Sequence, residues 1–154
     1  LEEDLPMGTA GSLSLLEKSN ELPIIVANGD VLTQTNLVDI LDFHEKHKAD
    51  ATIVTKNFEI EHPYGVVSTN GLELIAFNEK PIWYSQISAG IYILNWKVVK
   101  LLGINEKNDM PALFEMALQA KHNVRVFSIS DNWQDIGTMQ DLEKANIARS
   151  SSKV

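Results

Sequence analysis

The chain has 154 residues, enough for one domain that buries roughly 68–70% of the surface its unfolded form exposes. Its net charge of −8, with no basic cluster, argues against a nucleic-acid surface, and no apolar stretch approaches the roughly 18 residues of a membrane span. There is no cysteine, which excludes disulfides and thiolate metal sites, and the acidic start Leu1-Glu2-Glu3-Asp4 lacks the basic region of a secretory signal.

Taken in chain order, the pattern alternates. Thr9 or Ser12 can cap a short helix reaching about Lys18. Leu22–Ala27 is an apolar run that stops at Asn28-Gly29-Asp30. It reads as a parallel strand that delivers a carboxylate to the C-terminal edge of a sheet, where open α/β sheets bind ligands. Asn36–Lys48 is helical by spacing, with Leu37, Ile40, Leu41 and His44 on one face. Ala51–Thr55, rich in β-branched residues, is a second strand. Tyr64–Ser68 and Leu72–Phe77 flank Asn70-Gly71, a two-residue hairpin signal. Ile87–Leu94 is a further strand. Met110–Ala120 is a helix, with Asp109 as its cap and Pro111 in the first turn. Val124–Ile129 is the last strand and Met139–Ala148 the last helix, joined by Trp133-Gln134-Asp135-Ile136-Gly137-Thr138. The tail from Ser150 is expected to fray. The fold class is therefore α/β, a mixed sheet with an inserted β-hairpin.

Asp30 and Asp135 are two carboxylates far apart in sequence, each beside a strand end or helix approach. Such a pair is what a phosphate-bound Mg²⁺ requires, although a Gly-Asp step is also a common turn and Asp135 could simply cap a helix. The chain carries neither a G-x-G-x-x-G nor a Walker sequence. Gly8-Thr9-Ala10-Gly11 places two glycines at a helix start, which by itself is only a turn. His44, His47, His62 and His122 show no metal-ligand spacing and are assigned to surface or helix faces. Trp83 and Trp133 could stack on a ring or serve packing.

Six short elements occur in one order: Leu5-Pro6-Met7-Gly8-Thr9-Ala10-Gly11, Asn28-Gly29-Asp30, Pro63-Tyr64-Gly65-Val66-Val67, Glu79-Lys80-Pro81, Ser88-Ala89-Gly90-Ile91-Tyr92 and Trp133-Gln134-Asp135-Ile136-Gly137. In this order they resemble the sugar-1-phosphate nucleotidyltransferases, nearest to the bacterial guanylyltransferase-like branch that acts on mannose- or heptose-type sugar phosphates. The resemblance runs from about Glu2 to Asn146. It implies a Rossmann-like nucleotidyltransferase sheet. It also implies a reaction in which a sugar-1-phosphate oxygen attacks the α-phosphorus of a nucleoside triphosphate and pyrophosphate leaves. In such chemistry the protein mainly positions the reactants and neutralises charge.

Residue by residue, the resemblance implies that Asp30 and Asp135 hold Mg²⁺ and, with Lys80, form the catalytic set. Lys80 faces the sugar phosphate as a point cation. Glu79 accepts bonds from sugar hydroxyls. Gly65 lets the sugar approach backbone closely, with a strand start or bulge as its plain alternative. Ser88 stands where related sequences often carry Asn and contacts the sugar. Gly8, Thr9, Ala10, Gly11, Asn28 and Gly29 surround the nucleotide, and GTP is favoured. The expected location is cytoplasmic, since nucleoside triphosphates are there and no export signal is visible, and a homo-oligomer is expected.

The chain also departs from the family. Its members open with a strand and a Gly-rich loop carrying an Arg and, further on, a Lys, and nothing here corresponds. Residues 1–148 are thus expected to be a partial nucleotidyltransferase domain that lacks the N-terminal β-α-β portion, followed by a disordered tail, 149–154. Such a fragment is expected to be inactive alone and to self-associate through an open sheet edge. Two rivals remain: a non-catalytic module that binds nucleotide sugars, and a metal-dependent glycosyltransferase. The latter usually presents Asp-x-Asp, whereas Asn28-Gly29-Asp30 offers one acid.

Overall fold

The computed structural model describes residues 5–17, 22–139 and 141–143. Its centre is a four-stranded sheet of β1 (Ile24–Ala27), β6 (Ile82–Leu94), β3 (Ala51–Glu61) and β7 (Val124–Ile129), in the order β1-β6-β3-β7. The ladder β3–β7 is parallel, while β6 is antiparallel to both β1 and β3. The sheet is mixed, as expected. The first strand, however, is not hydrogen-bonded in parallel. It runs in the direction of β3 and β7, but the intervening β6 makes its ladder antiparallel, with Ile24 opposite Leu94. An apolar run ending in Gly-Asp reports burial and direction, and neither specifies the neighbour.

Helices cover both faces. On one side α1 (Gly8–Gly11), α3 (Trp96–Val99) and α4 (Met110–Gln119) bury Ala10, Val98, Leu113 and Ala117 against Ala51, Tyr92 and Leu94. On the other, α2 (Leu37–Lys46) sets Ile40 against Val54, Ala89, Ile91 and Ile93. Full burial of side chains such as Ile40 or Leu113 contributes about 1.5–3 kcal/mol each. The start of α2 is explained locally: Asn36 Oδ1 accepts the Val38 amide at 3.0 Å, and Asp39 sits in the positive first turn.

Other expectations shift in informative ways. The first helix is one α turn followed by a 3-10 turn over Ser12–Leu15, because Leu16 is already extended; Lys18 lies outside the described residues. Asp109 occupies the N-cap position of α4, yet its side chain makes no cap bond to that helix. It accepts instead from the Thr9 amide at 2.9 Å, and the Thr9 hydroxyl accepts the Met110 amide at 2.9 Å. The hairpin β4 (Val66–Asn70) and β5 (Glu73–Asn78) closes through Gly71-Leu72, not Asn70-Gly71, since Asn70 pairs with Glu73. Gly71 at φ +59° takes the first central position, as a type II′ turn requires.

Strands β3 and β6 extend well past the expected Thr55 and Ile87. Their outer halves pair as a two-stranded arm from Lys56 opposite Ile87 to Glu61 opposite Ile82. Two short strands were not foreseen, β2 (Val31–Thr33) and β8 (Trp133–Asp135), which pair antiparallel with Val31 opposite Asp135. Of the last helix, 139 and 141–143 are helical, with Thr138 Oγ1 accepting the Asp141 amide at 3.2 Å. Residues 140 and 144–154, the expected tail among them, lie outside the described residues.

Candidate functional site

The three co-directional strands β1, β3 and β7 end at one edge, and the turn after β1 carries Asn28, Gly29 and Asp30. The β2–β8 ladder brings the second carboxylate there. Val31 faces Asp135, and the Ile136 amide donates to the Asp30 carbonyl at 2.8 Å. Asp30 and Asp135 therefore line one cleft of about 250 Å³, with Asn28, Ser88, Tyr92 and Trp133. Asp135 belongs to a strand, not to the loop the sequence suggested, because Val31–Thr33 offers Trp133–Asp135 a ladder that no local signal announces.

The cleft is smaller than the roughly 300–1,000 Å³ of a pocket that encloses a whole drug-sized ligand, so it suits one portion of a larger molecule. Its lining holds two carboxylates and no lysine or arginine. A phosphate ester entering it meets net negative charge and needs a cation between. The donors are hard oxygens, which suit Mg²⁺, an ion commonly held by one or two carboxylates together with substrate phosphates and water. No group of three or more His, Cys, Asp or Glu side chains that could hold a metal ion occurs among the described residues.

The cleft floor is a distortion of β6. Pairing with β3 jumps from Ile53 opposite Tyr92 to Thr55 opposite Ser88. Gly90, inside the jump, adopts φ +72°. A side chain there would meet Asn28 Nδ2 and Val31 Cγ2 at 2.9 Å, so only glycine admits the approach. The hydroxyls of Ser88 and Tyr92 lie 3.0 Å apart. Tyr92 and Trp133 also line the cleft; the sequence raised Trp133 as a residue that could stack on a ring or serve packing, and assigned Tyr92 no role. Their signal was present, two residues from Gly90 and from Asp135, but periodicity reads both as packing.

The remaining sequence-derived residues fall into two other groups. Gly65, Glu79 and Lys80 sit at the base of the β4–β5 hairpin, outside the cleft lining. The space over Gly65 is filled by the Phe77 ring and the Glu79 carboxylate, at 2.6 and 2.9 Å from a Cβ placed there. Lys80 is exposed and left-handed, at φ +43°. Gly8, Thr9, Ala10 and Gly11 form the turn that packs on the 106–109 loop. The amides of Ala10 and Gly11 both donate to Asn108 O, at 2.9 and 3.0 Å, and the Thr9 amide goes to Asp109, so these donors are already engaged. Gly29 has open space over its Cα.

A larger hollow of about 360 Å³ lies at the opposite end of the strands, beside Pro23, His44, Asp50 and Asn95. Its polar groups are mutually satisfied. His44, on the same face of α2 as Ile40, is buried between the Thr52 hydroxyl at 2.8 Å and Asn95 Oδ1 at 3.2 Å. The acidic cleft at the strand C-termini is the better candidate for chemistry.

An open α/β sheet with a two-carboxylate cleft at its C-terminal edge belongs to the class of α/β proteins that place ligands beyond the carboxyl ends of their strands. The comparisons narrow it. The nucleotidyl transferase family model matches residues 1–152, and the chain belongs to that family. It is 36% identical over 151 residues to a mannose-1-phosphate guanyltransferase of Yarrowia lipolytica, covering 91% of this chain and 40% of that one. It is 31% identical to a glucose-1-phosphate adenylyltransferase of Clostridium novyi, covering 92% and 41%. The chain thus spans about 40% of the length of the curated relatives it matches. Among solved structures, a Bacillus anthracis protein named for glucose-1-phosphate thymidylyltransferase superposes with a TM-score of 0.69 at 22% identity, covering 95% of this chain and 62% of that one. HddC from Yersinia pseudotuberculosis, also solved with GMP-PN, reaches 0.61 and 0.60 in its two forms, at 22% identity, 96% coverage of this chain and 64% of its own. At such identities these structures establish the fold alone.

Proposed function

We propose that this chain serves the transfer of a nucleotidyl group from a nucleoside triphosphate to a sugar 1-phosphate, giving a nucleotide sugar and pyrophosphate. The observation that carries the reading is the meeting of Asp30 and Asp135 in one cleft free of basic side chains. In this reading both carboxylates hold Mg²⁺. The bound ion would neutralise charge on the phosphate oxygens and so ease approach of the attacking oxygen. Gly29, open above its Cα, lets phosphate approach backbone, and Asn28 orients the Asp30 turn. Gly8, Thr9, Ala10 and Gly11 flank the nucleotide. Ser88 accepts or donates to a sugar hydroxyl. Glu79, Lys80 and Gly65 lie on the hairpin base, where Lys80 meets the sugar phosphate and Glu79 a hydroxyl.

GTP is the favoured nucleotide, supported by the guanyltransferase relatives. The cytoplasm, where nucleoside triphosphates are found, is the location this reading favours. Titration calorimetry with GDP-mannose tests the reading. Binding is expected with Mg²⁺ and is expected to be lost in EDTA and in Asp30→Asn or Asp135→Asn. Binding indifferent to the ion and to both carboxylates would overturn it.

The same reading holds that these 154 residues do not turn over alone, since they contain no Gly-rich phosphate loop. That feature also favours the second reading, a module that binds nucleotide sugars without catalysis. A pyrophosphate-release assay with GTP, mannose 1-phosphate and Mg²⁺ is expected to stay at background. Robust turnover would refute both the inactivity and the non-catalytic module.

A further inference from the structure

The distortion in β6 holds both acid-bearing segments at once. One residue of β3, Val54, spans three of β6, Ala89, Gly90 and Ile91, between the Ile53–Tyr92 and Thr55–Ser88 pairs, so the ladder is interrupted there. The Ala89 carbonyl accepts the Trp133 indole N–H at 2.8 Å. The Gly90 carbonyl accepts the Asn28 amide at 2.8 Å, and the bare Gly90 Cα sits against the Asn28 carboxamide. Asn28 precedes Asp30 by two residues, and Trp133 precedes Asp135 by two. Lys56 closes the arrangement from β3: its Nζ donates to the Asp131 carbonyl at 3.2 Å and lies 5.9 Å from the Trp133 ring centroid.

We propose that Trp133, hooked by its indole N–H to the Ala89 carbonyl in the Gly90 bulge, is a positioning residue that sets where Asp135 stands relative to Asp30. Trp133 does not touch the reacting atoms in this role. Its indole ties β8 to β6, as the Asn28 amide ties the Asp30 turn to the same bulge. The two carboxylates are thereby referred to one piece of backbone. The Ile136 amide, bonded to the Asp30 carbonyl, is the direct reporter of that junction.

The inference rests on the cleft being a divalent-cation site, and the experiment separates the two. Trp133→Phe keeps an aromatic ring for packing or stacking and removes the donor together with the five-membered ring that carries it. The full chain is titrated with Mn²⁺, the free ion being followed by electron paramagnetic resonance. Hydrogen exchange is read at Gln134, Asp135 and Ile136. Wild type is expected to bind Mn²⁺, and Asp30→Asn and Asp135→Asn to abolish that binding. Trp133→Phe should weaken it roughly tenfold or more, the usual effect of removing a group that orients a metal ligand. Exchange at Ile136 should rise by a similar factor while the urea midpoint and exchange in β3 and β7 hold, a pattern that general destabilisation does not produce. If Mn²⁺ affinity and Ile136 exchange both match wild type in Trp133→Phe, the positioning role is overturned and the cleft reading stands. If wild type binds no Mn²⁺, the cleft reading fails. Exchange at Ile136 then decides the positioning role alone, faster exchange supporting it and unchanged exchange overturning it.

Discussion

At the scale of single residues, the strongest electrostatic feature lies away from the cleft, at Asp50. Burial pushes its carboxyl up, but the Lys97 ammonium, the Asn123 amide at 3.0 Å and His122 Nδ1 at 3.1 Å outweigh that and hold it below the ordinary carboxylate range. A carboxyl lowered in the folded state stabilises above its unfolded pKa, and that stability is lost as pH falls below about 4. Asp50→Asn should therefore cost about 1–3 kcal/mol at neutral pH. The deficit should shrink in acid, where the wild-type carboxyl is protonated too. Urea unfolding of both proteins from neutral pH into the acid range checks this, and a deficit that does not change with pH contradicts it. Residue identity alone could not have found Asp50, whose importance comes from partners on two other segments, Lys97 in α3 and His122-Asn123 before β7. Asp30, by contrast, was readable because a Gly-Asp step after an apolar run is a local signal.

At the scale of elements, the caps show which links are local. Asn36 caps its own helix, so the start of α2 was readable. The start of α4 was placed correctly at Asp109, but for a partly wrong reason: the hydroxyl that takes the Met110 amide belongs to Thr9, at the other end of the chain. Thr9→Ala should lower stability by about 1 kcal/mol, with Thr9→Ser much milder, as urea midpoints will report. The same distance effect hid β2 and β8. Each is three residues long, too short for an alternating pattern, and each exists because the other is there. The strand boundaries of β3 and β6 were underestimated because their outer halves hold a two-stranded ladder exposed on both faces, where burial imposes no alternation.

At the scale of the whole molecule, two apolar surfaces are left open. β1 forms one edge of the sheet among the described residues, with Ile25 41% exposed. On the arm, Phe58, Ile60 and Trp83 are each about half exposed, at 46%, 45% and 50%, and all three project from one face by register. An uncovered strand edge and an apolar ribbon favour association. Sedimentation at rising concentration is expected to show self-association, reduced by Ile25→Lys. A clean monomer at high concentration would contradict the expectation.

What the sequence determined by itself was the alternation of helices and strands and the ordered motifs whose family the comparisons bear out. All of these are carried by spacing of two, three or four residues, or by turn chemistry within a few positions. What only the tertiary structure decided was which segments meet: β6 inserted beside β1, the Thr9 hydroxyl on α4, the Gly90 bulge, and Asp135 beside Asp30. The physical reason is that these contacts join residues far apart along the chain. Each polar group finds its partner only after the cores on both sheet faces have closed, and no local pattern encodes a partner of that kind.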